Sequence, residues 1–412
     1  MAYQTITKTS YGTRLKDSTG GIITGFLLLI AGTVLLFWNE GRTAKTYKML
    51  KEAQKVYVEI PDISSVDPSA YGKLVHATGL ATTDEILTDG LFGISLNAIR
   101  ITREVEYYQW VEHTSTETRD KVGGGQETIT TYTYSTEWTN RPVSSQSFED
   151  PQYRGIANNV LMTADNMTTQ ARNVTFGAYR LPDDMVSQMS DTRPLNVELS
   201  EETIARYNQQ LSRYYTSVPA GVSLIHQSGN VVYLGQNSSN PDVGDVRITY
   251  TKVLPGQVSI LAQVNGDTFE PYTAKNGYTL MSLYDGTHSA ENMFASEKSS
   301  NKTMGWLLRI LGILIIYLGF KSIFEIIVTL LKVLPFLATI ADLGVSLACF
   351  ALTAVWSLLV IGIGWLFYRP VIGIIFIAAA VAAIWYFAKK GKQKKAAAQA
   401  TAPPTPSSTP EE

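Results

Sequence analysis

The stretch TGFLLLIAGTVLLFWNEGRTAK, Thr24–Lys45, is apolar as far as Phe37 and then closes on Trp38-Asn39-Glu40-Gly41-Arg42. A secretory signal would end in a small-x-small cleavage site, and Asn39, Glu40, Arg42 and Lys45 offer none, so the run reads as an uncleaved signal-anchor. Residues 21–38 reach ~27 Å at ~1.5 Å per residue, enough to cross a hydrocarbon core.

Working outward, three more apolar runs follow at the other end of the chain: Met304–Phe320, Leu343–Tyr368 and Val371–Phe387. Four spans put both termini on one side. Lys and Arg flanking a span favour the cytoplasmic face, and both Lys8, Arg14 and Lys16 at one end and Lys389, Lys390, Lys392, Lys394 and Lys395 at the other meet that rule. Lys321 and Lys332 agree with it, whereas Arg42, Lys45, Lys48 and Lys51 oppose it. The expected order is a cytoplasmic tail over 1–20, spans over 21–38, 304–320, 343–368 and 371–387, and an extracytoplasmic domain over 39–303. A basic, then disordered cytoplasmic tail covers 388–412. Between the second and third spans, Lys321, Glu325, Thr329 and Lys332 share one helical face. Residues 321–334 are therefore read as an amphipathic interfacial helix ended by Pro335, the other reading being a bent extension of the second span.

The middle segment is β in character. VYVEI (56–60) and KLVHATGLA (73–81) are short strands, and AIRITREVEYYQWVEHTSTET (98–118) and TITTYTYSTEWTNRPV (128–143) form a long hairpin whose tip carries Gly123-Gly124-Gly125. A meander follows, with Val246–Thr251 turning at Leu254-Pro255-Gly256, returning as Gln257–Val264 and reversing at Asn265-Gly266. Ser200–Arg213 and Ser289–Ser299 are helical. The fold class is a multi-pass α-helical membrane protein with a large, mainly antiparallel α+β extracytoplasmic domain, its sheet partly closed as a barrel.

Chemistry-bearing patterns are sparse. The 34 basic and 36 acidic residues leave no overall attraction to nucleic acid, and a single cysteine, Cys349, excludes an intrachain disulfide and a Cys-based zinc site. His76, His113, His226 and His288 are scattered, without HExxH, and there is no GxSxG. We read no catalytic residue, cofactor or metal from this sequence. Asn166, Asn173, Asn237 and Asn301 are glycosylation acceptors by pattern alone.

Two residue groups stand out. Glu40, Arg42, Arg309 and Arg369 are charges at the apolar boundary, with Trp38, Trp306, Trp365 and Tyr368 as interface anchors. Arg309 either snorkels to phosphate or, with Arg369 as the rival donor, pairs with Glu40 and clamps the first span to the later ones. Tyr107, Tyr108, Trp110, Tyr132, Tyr134 and Trp138 are either cross-strand packing under a covering helix or a partner-binding patch.

FWNEGRTAKT (37–46), LVHATG (74–79), VEYYQWVE (105–112), YSTEW (134–138), NPDVGDVRITY (240–250), SAENMF (289–294), WLLRILG (306–312) and GIGWLFYRP (362–370) together resemble the transmembrane protein 43 family. The resemblance runs in order from Ser18 to Phe387, and the chain is read as a bacterial member. It implies four spans, a lumenal or periplasmic domain and no established enzyme activity. Eukaryotic members reside in the endoplasmic reticulum and inner nuclear membrane and are associated with emerin, lamins and nuclear-envelope organisation. The expected role is a non-enzymatic scaffold partnered by the bilayer, by membrane or envelope proteins and by further copies of itself. It would sit in a bacterial inner membrane or, in a eukaryote, in those two membranes. The other reading is a lipid-sensing or lipid-handling protein acting through its helices.

Overall fold

The computed structural model describes residues 3–215, 219, 221–333, 335–370 and 374. Among these, a β-rich unit takes residues up to 14, 48–300 and the turn at 332–335, and a helical unit takes 15–47, 301–331 and the residues from 336 onward.

In chain order the elements begin with β1 (Tyr3–Thr9), α1 (Tyr11–Val56), β2 (Val58–Ile60), β3 (Leu74–Thr82), β4 (Ile86–Asp89) and β5 (Ile94–Asn97). Next come β6 (Arg100–Asp120), β7 (Gln126–Thr139), β8 (Met167–Gln170), β9 (Val174–Phe176), β10 (Tyr179–Leu181) and the single turn α2 (Asp183–Val186). They are followed by β11 (Thr192–Pro194), α3 (Glu201–Leu211), β12 (Ile225–Ser228), β13 (Val231–Leu234), β14 (Val246–Val253), β15 (Gly256–Asn265) and β16 (Thr268–Glu270). The chain then passes through β17 (Tyr272–Thr273), β18 (Thr279–Leu280), β19 (Ser282–Asp285), α4 (Ala290–Leu331) and α5 (Pro335–Tyr368).

Among the described residues, three helices, α1, α4 and α5, are long and apolar enough to cross a membrane, and only 17%, 17% and 33% of their apolar windows are buried. A soluble core helix would bury that surface, so most of these windows are built for contact with lipid. The expected fourth span, 371–387, lies outside the described residues apart from Ile374, as does the tail 388–412. Residues 321–331 form no separate element: α4 continues through them to Leu331, because nothing between Met304 and Leu331 removes a backbone donor. Pro335 opens α5 instead of closing a preceding helix, a position where its missing N–H is one the helix leaves unpaired anyway.

In the β-rich unit, one sheet runs β1-β7-β6-β14-β13-β12, and β11 and β8 pair with it at β14 and β6. The β6–β7 hairpin keeps register from Tyr107↔Thr139 to Asp120↔Gln126. At its outer end Tyr3–Thr9 pairs antiparallel with Gln126–Tyr132. Arg14 then donates to the Gly124 carbonyl at 3.0 Å and pairs with Asp120 at 2.7 Å. Within the expected 1–20 tail, residues 3–9 are therefore a strand and residues 11–20 the first turns of α1. The segment preceding the first apolar run thus contributes a strand that pairs with the hairpin of the domain that follows it.

The second sheet closes on itself. β15 pairs with β16, β16 with β10, β10 with β9, β9 with β3, and β3 again with β15 through Gly256↔Ala81 to Gln263↔Leu74. This five-stranded barrel is completed by β19 and β2 at the flanks. Alternation along β3 and β15 sends Val75, Ala77, Val258, Ile260 and Ala262 into the main core with Phe176, Tyr179 and Phe269. Leu74 and Leu261, on the opposite face, pack with Met49, Leu50 and Ala53 of α1 and Met293 and Phe294 of α4. The expected turn at 254–256 is not a hairpin, because β14 and β15 belong to different sheets. Gly266 at φ +66° does make the tight reversal from β15 to β16.

Candidate functional site

Helices α1 and α4 approach antiparallel, and small residues set their spacing. A Cβ added at Gly25 would lie 2.7 Å from the Gly319 carbonyl oxygen, and one at Gly32 would lie 3.1 Å from that of Gly312. Seven residues further along α1, Asn39 faces Gly305 and donates its amide to that carbonyl at 2.9 Å. The heptad interval 25, 32, 39 on one helix thus meets 319, 312, 305 on the other, the seam expected where two helices stay in contact over several turns. Sequence reasoning singled out neither glycine series, although the period is there to read.

At the Asn39 end of this seam the polar groups gather. Glu40, 3% exposed, accepts from Arg309 Nε at 2.6 Å and Nη2 at 2.8 Å, and its second oxygen also accepts from Trp365 Nε1 of α5 at 2.7 Å. One carboxylate therefore joins three helices. Gly364 of α5 makes room for it, since a Cβ there would lie 3.0 Å from Glu40 Cβ. Removing an ion pair from water is costly unless its geometry is good and its remaining hydrogen-bonding capacity is used, and a two-point guanidinium fork with an indole donor meets both conditions. The Trp306 ring adds a cation–π contact, its centroid 5.0 Å from the Arg309 guanidinium carbon.

The network extends one turn along α1. Arg42 donates to Asn301 Oδ1 at 3.3 Å, Asn301 donates to the Thr43 carbonyl at 3.0 Å, and Thr43 donates to Asn39 Oδ1 at 3.4 Å. Asn301 is buried, so its glycosylation pattern marks a structural amide. Of the two candidate partners for Glu40, Arg309 is the one paired; the Arg369 backbone N–H bonds the Trp365 carbonyl and continues α5 by one residue. Trp38 and Trp306 are more than half exposed, whereas Tyr368 packs against Phe37 and lies 5.9 Å beneath the Lys45 ammonium.

The aromatic group on the β6–β7 hairpin divides among four environments. Tyr107 is a core residue whose hydroxyl donates to the Ala164 carbonyl at 2.7 Å. Trp110 and Tyr134 lie under the 144–156 segment, where Tyr153 stacks on Tyr134 at 4.0 Å and Phe148 contacts it. Tyr132 meets Tyr3 of β1. Tyr108 and Trp138, directly opposite in register, contact each other, Trp138 also meets Tyr233, and the Arg247 guanidinium carbon lies 4.4 Å from the Trp138 ring centroid. The cover is a loop and a strand in place of the expected helix.

The β-rich unit also buries charge. Asp89, 1% exposed, receives Arg103 at 2.6 Å and the Tyr250 hydroxyl at 2.6 Å. Asp245 receives the Tyr233 hydroxyl and the Asp242 N–H, yet burial still raises its carboxyl above the usual range. No group of three His, Cys, Asp or Glu able to hold a metal occurs among the described residues.

The sequence profile described as Transmembrane protein 43 matches residues 107–370, which include most of β6, all of β7 and the Arg309 and Trp365 arms of the clamp. The chain belongs to this family. It is 31% identical over 368 residues to Transmembrane protein 43 of Rattus norvegicus and 30% identical to that of Homo sapiens, covering 87% of this chain and 86% of each relative. The Transmembrane protein 43 homolog of Drosophila melanogaster is 27% identical over 379 residues, covering 88% and 93%. No solved structure matches. As a member of the transmembrane protein 43 family, the chain is a membrane protein, and most of its β-rich unit and two arms of its clamp fall within the matched region.

Proposed function

We infer that the protein is a non-enzymatic scaffold that holds other membrane or envelope proteins, and copies of itself, in a fixed arrangement. The observation that carries this reading is the Glu40–Arg309–Trp365 junction, which locks three helices with charge-assisted hydrogen bonds. A transporter or enzyme working through these helices needs them to move or to admit a substrate, whereas a platform for assembly needs them fixed. The partners are proteins met in the same membrane, in a bacterial inner membrane or in the endoplasmic reticulum and inner nuclear membrane according to the host.

The test is affinity purification of the full chain from native membranes after mild cross-linking, beside Glu40→Gln and Arg309→Gln variants. The scaffold reading expects stoichiometric protein partners, or a discrete oligomer, with the wild type and weaker recovery with both variants. A solitary wild-type monomer under these conditions overturns it.

A further inference from the structure

The helical unit has a second polar site at the opposite end of the α1–α4 seam. A groove of about 390 Å³ is lined by Asp17, Ser18 and Gly21 of α1 and by Leu318, Lys321, Ser322 and Glu325 of α4. Two hydrogen bonds tie the helices beside it: Ser322 Oγ donates to the Gly21 carbonyl at 2.7 Å, and Ser18 Oγ donates to Thr329 Oγ1 at 2.9 Å. Its sides carry both signs of charge. The Lys321 ammonium has Asp342 as a loose neighbour at 3.8 Å, with both side chains more than a third exposed, so a stronger anion can compete for it.

Position along the helices supplies the second argument. The apolar run of α1 begins at Gly21, and that of α4 meets its first charges beyond Arg309 at Lys321 and Glu325, so the groove sits where charge enters both helices. Gly21 and Glu40 are separated by roughly 28 Å of helix at ~1.5 Å per residue, close to the thickness of a bilayer core. The clamp and the groove therefore mark two headgroup levels. Leu318, 45% exposed, forms the apolar wall on the hydrocarbon side.

We propose that this groove binds the phosphoethanolamine headgroup of a membrane phospholipid. The headgroup phosphate meets Lys321, its ammonium donates to Asp17 with the Glu325 carboxylate on the facing wall, and an acyl chain leaves along Leu318. A choline headgroup offers no N–H to the carboxylates, and a glycerol headgroup offers them no positive charge. Loss of a charge-assisted hydrogen bond weakens binding about tenfold, so the site discriminates among headgroups that share the same chains. The occupant is a lipid rather than free phosphoethanolamine because the apolar wall adjoins the charges. This assignment does not depend on the scaffold reading.

The experiment uses the full chain, stripped of endogenous lipid in detergent, and mixed micelles of palmitoyl-oleoyl phosphatidylethanolamine, phosphatidylcholine or phosphatidylglycerol. Bound lipid is counted by native mass spectrometry. Phosphatidylethanolamine should be retained about tenfold better than the other two, and Asp17→Asn and Lys321→Gln should each erase the preference. Asp17 is exposed, so its substitution leaves the fold intact. Equal retention of the three lipids by the wild type, or a preference that survives both substitutions, overturns the proposal. Displacement of the lipid by an equal concentration of soluble phosphoethanolamine overturns the lipid assignment.

Discussion

Glu40 and Arg309 are joined by two hydrogen bonds, 2.6 and 2.8 Å long, although 269 positions separate them in the chain. A double-mutant cycle of Glu40→Gln with Arg309→Gln, read as thermal stability in detergent, should give a coupling of about 1–3 kcal/mol. The same cycle with Arg369→Gln should be additive. Coupling to Arg369 in place of Arg309 would show that the clamp is wrongly assigned.

The glycine seam predicts a steep dependence on one methyl group. Alanine at Gly25 brings Cβ within 2.7 Å of a backbone oxygen that cannot move aside alone, and the overpacking should cost about 1–3 kcal/mol. Gly20, on the same helix, has nothing within 4 Å of an added methyl group, so Gly20→Ala should be neutral or slightly stabilising. Equal melting of the two variants would argue against close helix contact.

Pairing of Tyr3–Thr9 with Gln126–Tyr132 predicts a local protection pattern. Deleting residues 1–9 should speed hydrogen exchange at amides 126–132 and leave those of Gly256–Asn265, in the closed barrel, unchanged. Unaltered exchange at 126–132 would show that β1 does not hold the outer hairpin.

Asp245 gives the β-rich unit a pH signature. Burial, the largest influence, raises its carboxyl in the folded state, while hydrogen bonds from Tyr233 and Asp242 act the other way. The folded state then holds the proton more tightly than the unfolded one, so this contribution is fully present below the ordinary carboxyl value of 3.8 and is lost as pH rises through the raised value. Asp245→Asn removes that slope. The melting temperature of the variant minus that of the wild type should therefore increase as pH rises from about 4, and a difference that is flat or falling would contradict the assignment.

Tyr134 has its pKa pushed up to about 12 by burial and by its bond to Glu112, and its hydroxyl also accepts the Asp150 N–H at 3.0 Å. Tyr134→Phe should cost about 1–2 kcal/mol by leaving the Asp150 N–H without its acceptor and Glu112 with the Glu149 N–H but no hydroxyl donor. Tyr134→Ser, which also removes the ring stacked on Tyr153, should cost more; a Ser variant as stable as the Phe variant would mean that the 144–156 segment does not pack on this ring.

Several features are legible in the chain because they are local. Apolar runs long enough to cross a bilayer, the β-branched and aromatic hairpin around Gly123-Gly124-Gly125 and the Asn265-Gly266 reversal each follow from neighbouring residues and backbone sterics. The residues of the charge clamp are legible too, since Glu40 and Arg309 are an acid and a base at the margin of apolar segments, where solvation makes them expensive. Which arginine Glu40 takes is decided by the three-helix packing that brings Arg309 and Trp365 onto one carboxylate and leaves room for it at Gly364. Likewise, closure of the barrel depends on β3 meeting β15, and the ribbon at the hairpin tip depends on Tyr3–Thr9 meeting Gln126–Tyr132. Such pairings join segments more than a hundred residues apart, and their free energy comes from burying both partners at once, a quantity that no single stretch of sequence contains.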